Sequence, residues 1–179
     1  QAGMDRSIAK LFSLSANLPK FLKQFPDSKI LYIVRDPLSV IPSGLSLITG
    51  VLDKRFGFWS LPEEKRSHFI DRLYNALVQL LLRFHADWKN GKIDKSRVFI
   101  VHFDRMMFDF DNLMDEILKF IDHIPSEIMK KDIQETAKKQ RNFQSGHKYD
   151  LDKFGLNSDQ IKSDCALIYE TFMNYDVNS

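Results

Sequence analysis

Arg35 and Ser43 are the side chains whose types and spacing best suit the capture of a doubly charged anion. Arg35 directly follows the apolar run Ile30-Leu31-Tyr32-Ile33-Val34, and Ser43 comes eight residues later. A guanidinium fork presents parallel N–H donors to two oxygens, and a nearby hydroxyl supplies a further donor. Between them, Asp36-Pro37 reads as a helix start, because Asp is a good N-cap and Pro suits the first helical position. Free N–H groups and the positive end of such a helix attract anions. The Asp36 carboxylate competes for the same donors. The pattern equally fits an Arg35 paired with Asp36 or another acid, with Ser43 on a helix surface.

For these residues to act together, a strand must end at Arg35 and a helix must begin beside it. The short, continuous run 30–34 suits a strand buried on both faces of a parallel sheet. Open α/β sheets gather ligands at the carboxyl ends of such strands. The following helix draws its apolar content from Leu38, Val40, Ile41, Leu45, Leu47 and Ile48, and Pro42 is expected to disturb its second turn.

Upstream, apolar positions from Ser7 to Phe25 have helical spacing, with Pro19 as a kink or break, and Pro26-Asp27-Ser28 reads as a turn. Residues 53–60 are expected to form a loop. Its Arg55, Phe56, Phe58 and Trp59 either line an acceptor pocket or cover the core. A long helix runs from 61–64 to about Trp88, where Asn90-Gly91 stops it. Val98-Phe99-Ile100-Val101 is a second buried strand. Helices are expected over 111–121, 125–139 and 158–175, with 140–156 irregular. The fold class is therefore α/β, a single domain over 1–179, with a parallel sheet of about two strands and a predominantly helical remainder. Two strands are too few for a free-standing doubly wound sheet. Either the helices dominate, or neighbouring strands lie in sequence outside this chain.

The segment Phe25-Pro26-Asp27 through Val34-Arg35-Asp36-Pro37 to Pro42-Ser43-Gly44 and Ser46-Leu47 resembles the 3′-phosphate-binding segment of one enzyme family. These are the sulfotransferases that use 3′-phosphoadenosine 5′-phosphosulfate (PAPS). Two later segments agree. Arg97-Val98-Phe99-Ile100-Val101-His102-Phe103-Asp104-Arg105 is similar to the family strand that ends in an aromatic-Glu-Asp sequence, with Leu118-Lys119-Phe120-Ile121 following. Ser145-Gly146-His147-Lys148-Tyr149 and Phe154-Gly155-Leu156 resemble a tail of the bacterial-type branch. The resemblance implies a P-loop-like parallel sheet, here partial, and transfer of a sulfuryl group from PAPS to an acceptor hydroxyl or amine by in-line displacement. It implies that Arg35 and Ser43 hold the 3′-phosphate, that Phe103 lies near the adenine, and that Arg141, Ser145 and Lys148 close over the nucleotide phosphates. It implies PAPS as the cofactor and no metal.

Departures from the family pattern are specific. Phe103 lacks the hydroxyl of Tyr. Arg105 reverses the charge of an acidic family position, so a role for an acid there does not carry over. No Gly- or Ser/Thr-containing phosphosulfate loop precedes Ile30, and neither the family's catalytic Lys nor its general base finds a match. The chain, which starts at Gln1, thus reads as the carboxyl-terminal portion of a sulfotransferase domain. The catalytic residues are expected outside it.

Composition narrows the remaining options. With 26 Lys+Arg against 24 Asp+Glu, no basic stripe for nucleic acid is expected. No apolar stretch reaches the length of a membrane span, so neither nucleic acid nor membrane is an expected partner. The expected partner is a small-molecule or glycan acceptor, and the oligomeric state stays open. One cysteine, Cys165, makes neither an internal disulfide nor a structural zinc site, and a reducing, cytoplasmic setting is expected. His68 and His85 lie too far apart on the long helix to share a metal. His102 reads as a base or as a hydrogen-bonded structural histidine. Lys138, Lys139 and Arg141 read as a solvated face or as part of a phosphate closure. Two alternative functions stay open: a nucleoside-phosphate kinase fragment, which shares the strand-to-helix phosphate logic, and a non-catalytic helical interaction domain.

Overall fold

Strands β1 (Ile30–Val34) and β2 (Val98–His102) lie side by side and parallel in the computed structural model of the chain, which describes residues 7–11, 13–142 and 150–173. The register runs from Ile30 opposite Val98 to Val34 opposite His102. Parallel strands require a long return path. Here two helices supply it, α2 (Pro37–Phe56) and α3 (Glu63–Lys89). A 3-10 turn (Leu14–Asn17) and α1 (Leu18–Gln24) precede β1. After β2 come α4 (Phe103–Phe108), α5 (Phe110–Phe120), α6 (Glu127–Arg141), α7 (Ser158–Asp164), the one-turn α8 (Ala166–Ile168) and a π-helical turn (Tyr169–Met173). The fold is α/β, a two-stranded parallel sheet in a mostly helical chain, as the alternation of elements predicts. No helix among the described residues is long and apolar enough to cross a membrane.

Several local expectations need correcting. Pro19 does not break a helix. It stands in the first turn of α1, where its missing N–H costs nothing. Pro42 does not interrupt α2, which runs unbroken for 20 residues with Pro42 buried. Tertiary packing overrides the lost hydrogen bond, because Pro37, Ile41, Leu45 and Thr49 form a buried stripe at helical spacing. Gly44 lies where α3 comes close, and a Cβ there would sit 3.0 Å from Leu77 Cδ1. Residues 53–56, expected in a loop, complete α2. Gly57, at φ 63°, closes it by donating its N–H to the Asp53 carbonyl at 2.8 Å.

β1 is not buried on both faces. Tyr32 stacks on Phe84 of α3 with ring centroids 3.4 Å apart, and Val34 is buried. Leu31 and Ile33, on the other face, are 43% and 54% exposed. The helices on that face cover β2 instead: Val101 packs with Leu113 and Ile117 of α5, joined by Phe99, Met106 and Met114. The covering elements lie over one strand only, so the apolar run in β1 has a neighbour on one side alone.

Arg97 sets where the two strands start. Its guanidinium donates to the carbonyls of Leu22 (3.0 Å), Phe25 (2.5 Å) and Ser28 (3.0 and 3.1 Å), and to the Ser28 hydroxyl. The chain entering β1 is thereby fastened to the residue entering β2.

The carboxyl-terminal helix expected over 158–175 is broken. Cys165, fully buried with non-helical dihedrals, separates α7 from α8. Burial, and then the nearby Asp164 and Asp36 carboxylates, push its thiol up to about 11. Long-range bonds hold the segment in place: Tyr74 donates to Asp164 at 2.6 Å, and His85 Nε2 lies 3.0 Å from Thr171 Oγ1. Phe172 packs edge-on to the His85 ring.

Burial, and then the Lys89 charge, hold the His85 pKa below the usual histidine value, with Glu170 opposing. His102 is lowered in the same direction, by burial and then by Arg105. The unfolded chain therefore takes up protons at these sites before the folded chain does, starting near the ordinary histidine value of about 6.5. Stability should be flat above that pH and fall as the pH drops through about 6 to 5. In urea titrations, His85→Gln should show a smaller fall over this window than wild type. An equal fall in both proteins would clear His85 as a source.

Candidate functional site

Arg35 and Phe103 are the residues that follow the last paired positions of β1 and β2, Val34 and His102. A shared parallel register therefore delivers them side by side at the carboxyl end of the sheet. The Arg35 guanidinium carbon lies over the Phe103 ring, 4.2 Å from its centroid. Both residues are half-buried. Ser43 sits on α2, about 9 Å along the axis from Pro37 by the helical rise, and is also half-buried. The strand-to-helix turn expected from Arg35-Asp36-Pro37 is thus in place.

Asp36 caps α2 completely. Its Oδ1 accepts the Leu38 N–H at 2.8 Å, and its carbonyl accepts the N–H groups of Ser39 (2.8 Å) and Val40 (3.0 Å). Pro37 has no N–H. No free backbone donor remains in the first turn, so the expected pull of bare N–H groups on an anion is absent there. Any recognition of an anion here would fall to side chains.

The same Oδ1 accepts the Tyr169 hydroxyl at 2.5 Å. Burial first, and then this bond, raise the Tyr169 pKa well above the usual phenol value. Tyr169 therefore remains a donor throughout the neutral range. Asp36 forms no ion pair with Arg35, so the reading of Arg35 as a simple structural pair with its neighbour does not hold.

Arginine partners distinguish Arg35 further. Among the described residues four arginines are half-buried: Arg35, Arg66, Arg97 and Arg105. Arg66 donates to the Trp59 carbonyl at 2.6 Å, and Arg97 donates to the carbonyls already described. Arg105 binds Glu116 through two bonds (2.6 and 2.9 Å) and Asp109 through two more (2.8 and 3.0 Å). Among the described residues, Arg35 has the Phe103 ring and no polar partner, and the Ser43 hydroxyl has none either. No Arg35 nitrogen is buried without a partner, so its N–H donors face solvent and are open to an incoming acceptor.

The other expected site residues are placed differently. One face of Phe103 is already covered by Arg35, so an adenine would have to use the other. Arg141 ends α6, exposed, and binds both carboxylate oxygens of Asp111 on α5 at 2.6 and 2.7 Å. That bond, first among its causes, holds the Asp111 carboxyl below its usual value. A phosphate at Arg141 must displace this carboxylate. Ser145 and Lys148 lie outside the described residues. Phe58 is buried and Trp59 half-buried, packed on Phe69 and Phe154, so these two aromatics cover the core. Arg55 and Phe56 are exposed at the end of α2. Among the described residues no group of His, Cys, Asp and Glu is arranged to hold a metal ion.

Tyr169 is the site neighbour that sequence reasoning missed. It lies 133 residues from Asp36, and no motif or spacing joins the two.

Arg105 fastens α4, which starts at Phe103, to α5. Arg105→Glu would set three carboxylates against one another in place of four hydrogen bonds. It should destabilise the fold by about 2 kcal/mol or more, read as a lowered urea midpoint. Arg105→Lys should lose less. If Arg105→Glu unfolds at the wild-type midpoint, this network does not hold α4.

Residues 1–125 match the family model described as "Sulfotransferase family". No curated protein and no solved structure matches the chain.

Proposed function

Because this chain belongs to the sulfotransferase family, we propose that the carboxyl end of its sheet holds the 3′-phosphate of a PAPS sulfuryl donor through Arg35 and Ser43. The observation that carries this reading is the unspent guanidinium of Arg35. Every other half-buried arginine among the described residues is engaged by a carbonyl or a carboxylate. Arg35 is held by an aromatic face at 4.2 Å, a contact that fixes its position without using its N–H donors.

The residues present fit such a group in charge and in donor type. A phosphate ester dianion needs a fork and further donors, and Arg35 with Ser43 supplies both kinds. The satisfied first turn of α2 adds nothing, so the side chains must carry the selectivity. When bound, the donor supplies the sulfuryl group that passes to an acceptor hydroxyl or amine. Arg35 would neutralise and orient the 3′-phosphate, and Ser43 would donate a hydrogen bond to it. Phe103 would keep the guanidinium in place. A small-molecule or glycan acceptor is proposed from family membership alone.

Calorimetry with adenosine 3′,5′-bisphosphate, in the absence of divalent metal, tests this reading. Arg35→Ala should weaken binding by about tenfold to a hundredfold, the loss of a charge-assisted contact. Ser43→Ala should cost about fivefold. Adenosine 5′-monophosphate, which lacks the 3′-phosphate, should bind both variants as it binds wild type. Equal affinity of wild type and Arg35→Ala for the bisphosphate would remove Arg35 from the site.

A further inference from the structure

We infer that Tyr169 is a positioning residue that ties the Asp36 carboxylate down and thereby keeps Arg35 open for an anion. This rests on the reading of Arg35 as a phosphate ligand and adds a residue from a segment that the family match, ending at residue 125, does not reach.

Arg35 and Asp36 are consecutive, at the place where an anion is to be recognised. A carboxylate adjoining an arginine is that arginine's most available acceptor. An intramolecular pair of this kind would compete with any incoming phosphate. The structure avoids it. Two donors converge on Asp36 Oδ1, the Leu38 N–H from the same turn and the Tyr169 hydroxyl from the far end of the chain. Together they set the torsion of the carboxylate and draw charge toward α2. With Tyr169 removed, only the local Leu38 bond remains, and the group regains freedom to turn toward the guanidinium.

Tyr169 is itself held firmly. It opens the π-helical turn Tyr169–Met173, between Ile168 and Phe172, both buried in the main core. The break at Cys165 and this turn re-aim the end of the chain, and π-type turns recur where a side chain must be placed off the regular helical path. The hydroxyl stays protonated across the neutral range, so the tie does not depend on pH there.

A double-mutant cycle on the whole chain decides the point. Asp36→Asn keeps an N-cap of equal quality and removes the charge. Tyr169→Phe should weaken adenosine 3′,5′-bisphosphate binding by about threefold to fivefold, with adenosine 5′-monophosphate binding unchanged. In the Asp36→Asn background, Tyr169→Phe should change neither affinity, because no charge is left to restrain. An equal loss in both backgrounds would mean that Tyr169 acts through packing, and no loss in the wild-type background would mean that it does not act on the site. Either result overturns the inference. If Tyr169→Phe does not fold, Asp36→Asn alone decides: affinity at or above wild type supports a restrained competitor, and a loss overturns it. Wild type and Arg35→Ala binding alike is a separate outcome that sinks the phosphate reading and this inference with it.

Discussion

Parallel strands bring their carboxyl ends to the same side, and in this chain those ends carry a guanidinium and an aromatic ring. Pairing of Val34 with His102 places Arg35 against Phe103. A slip of one residue would separate them and would also turn Tyr32 away from Phe84. The register is held at the opposite end by Arg97, which gathers the carbonyls of Leu22, Phe25 and Ser28. One arginine is spent on carbonyls so that another can be presented at a defined place.

Charge is distributed in the same sparing way around the site. Arg105 and Arg141 are each committed to carboxylates, and Asp36 is committed to the start of α2 and to Tyr169. On the proposed reading, an anion site needs a cation whose neighbours have other obligations, and the Asp36 oxygen beside Arg35 is already engaged. The helix start, often the natural anion cradle, is closed by its own cap, so any selectivity for an anion would rest on side chains.

The segment after residue 150 supports this arrangement from a distance. Asp164, Thr171 and Tyr169 reach Tyr74, His85 and Asp36 respectively. Phe172 packs beside Phe84, the ring on which β1 rests, and Ile168 is buried in the same core. Packing of the chain's end therefore bears on the strand and on the cap of α2 together. The family match, over residues 1–125, covers both strands and the helices between them, whereas this support lies beyond it.

Local sequence determined the strands at 30–34 and 98–102, the helix start at Asp36-Pro37 and the long α3, because periodicity and capping are properties of neighbouring residues. It also determined the pairing of Arg35 with a strand end, and it singled out Phe103 separately. It could not decide that α2 runs through Pro42, since the stripe that outweighs the proline is buried only once α2 packs on other elements, α3 and α7 among them. Nor could it decide that β1 has one uncovered face, that a helix breaks at Cys165, or that Arg141 is spent on Asp111. Those outcomes depend on which side chains meet across 30 to 133 residues of chain. Whether an arginine is spent or free is a property of its neighbours in space, and only the fold shows that, among the described residues, Asp36 is bonded to Leu38 and Tyr169 while Arg35 lies against Phe103.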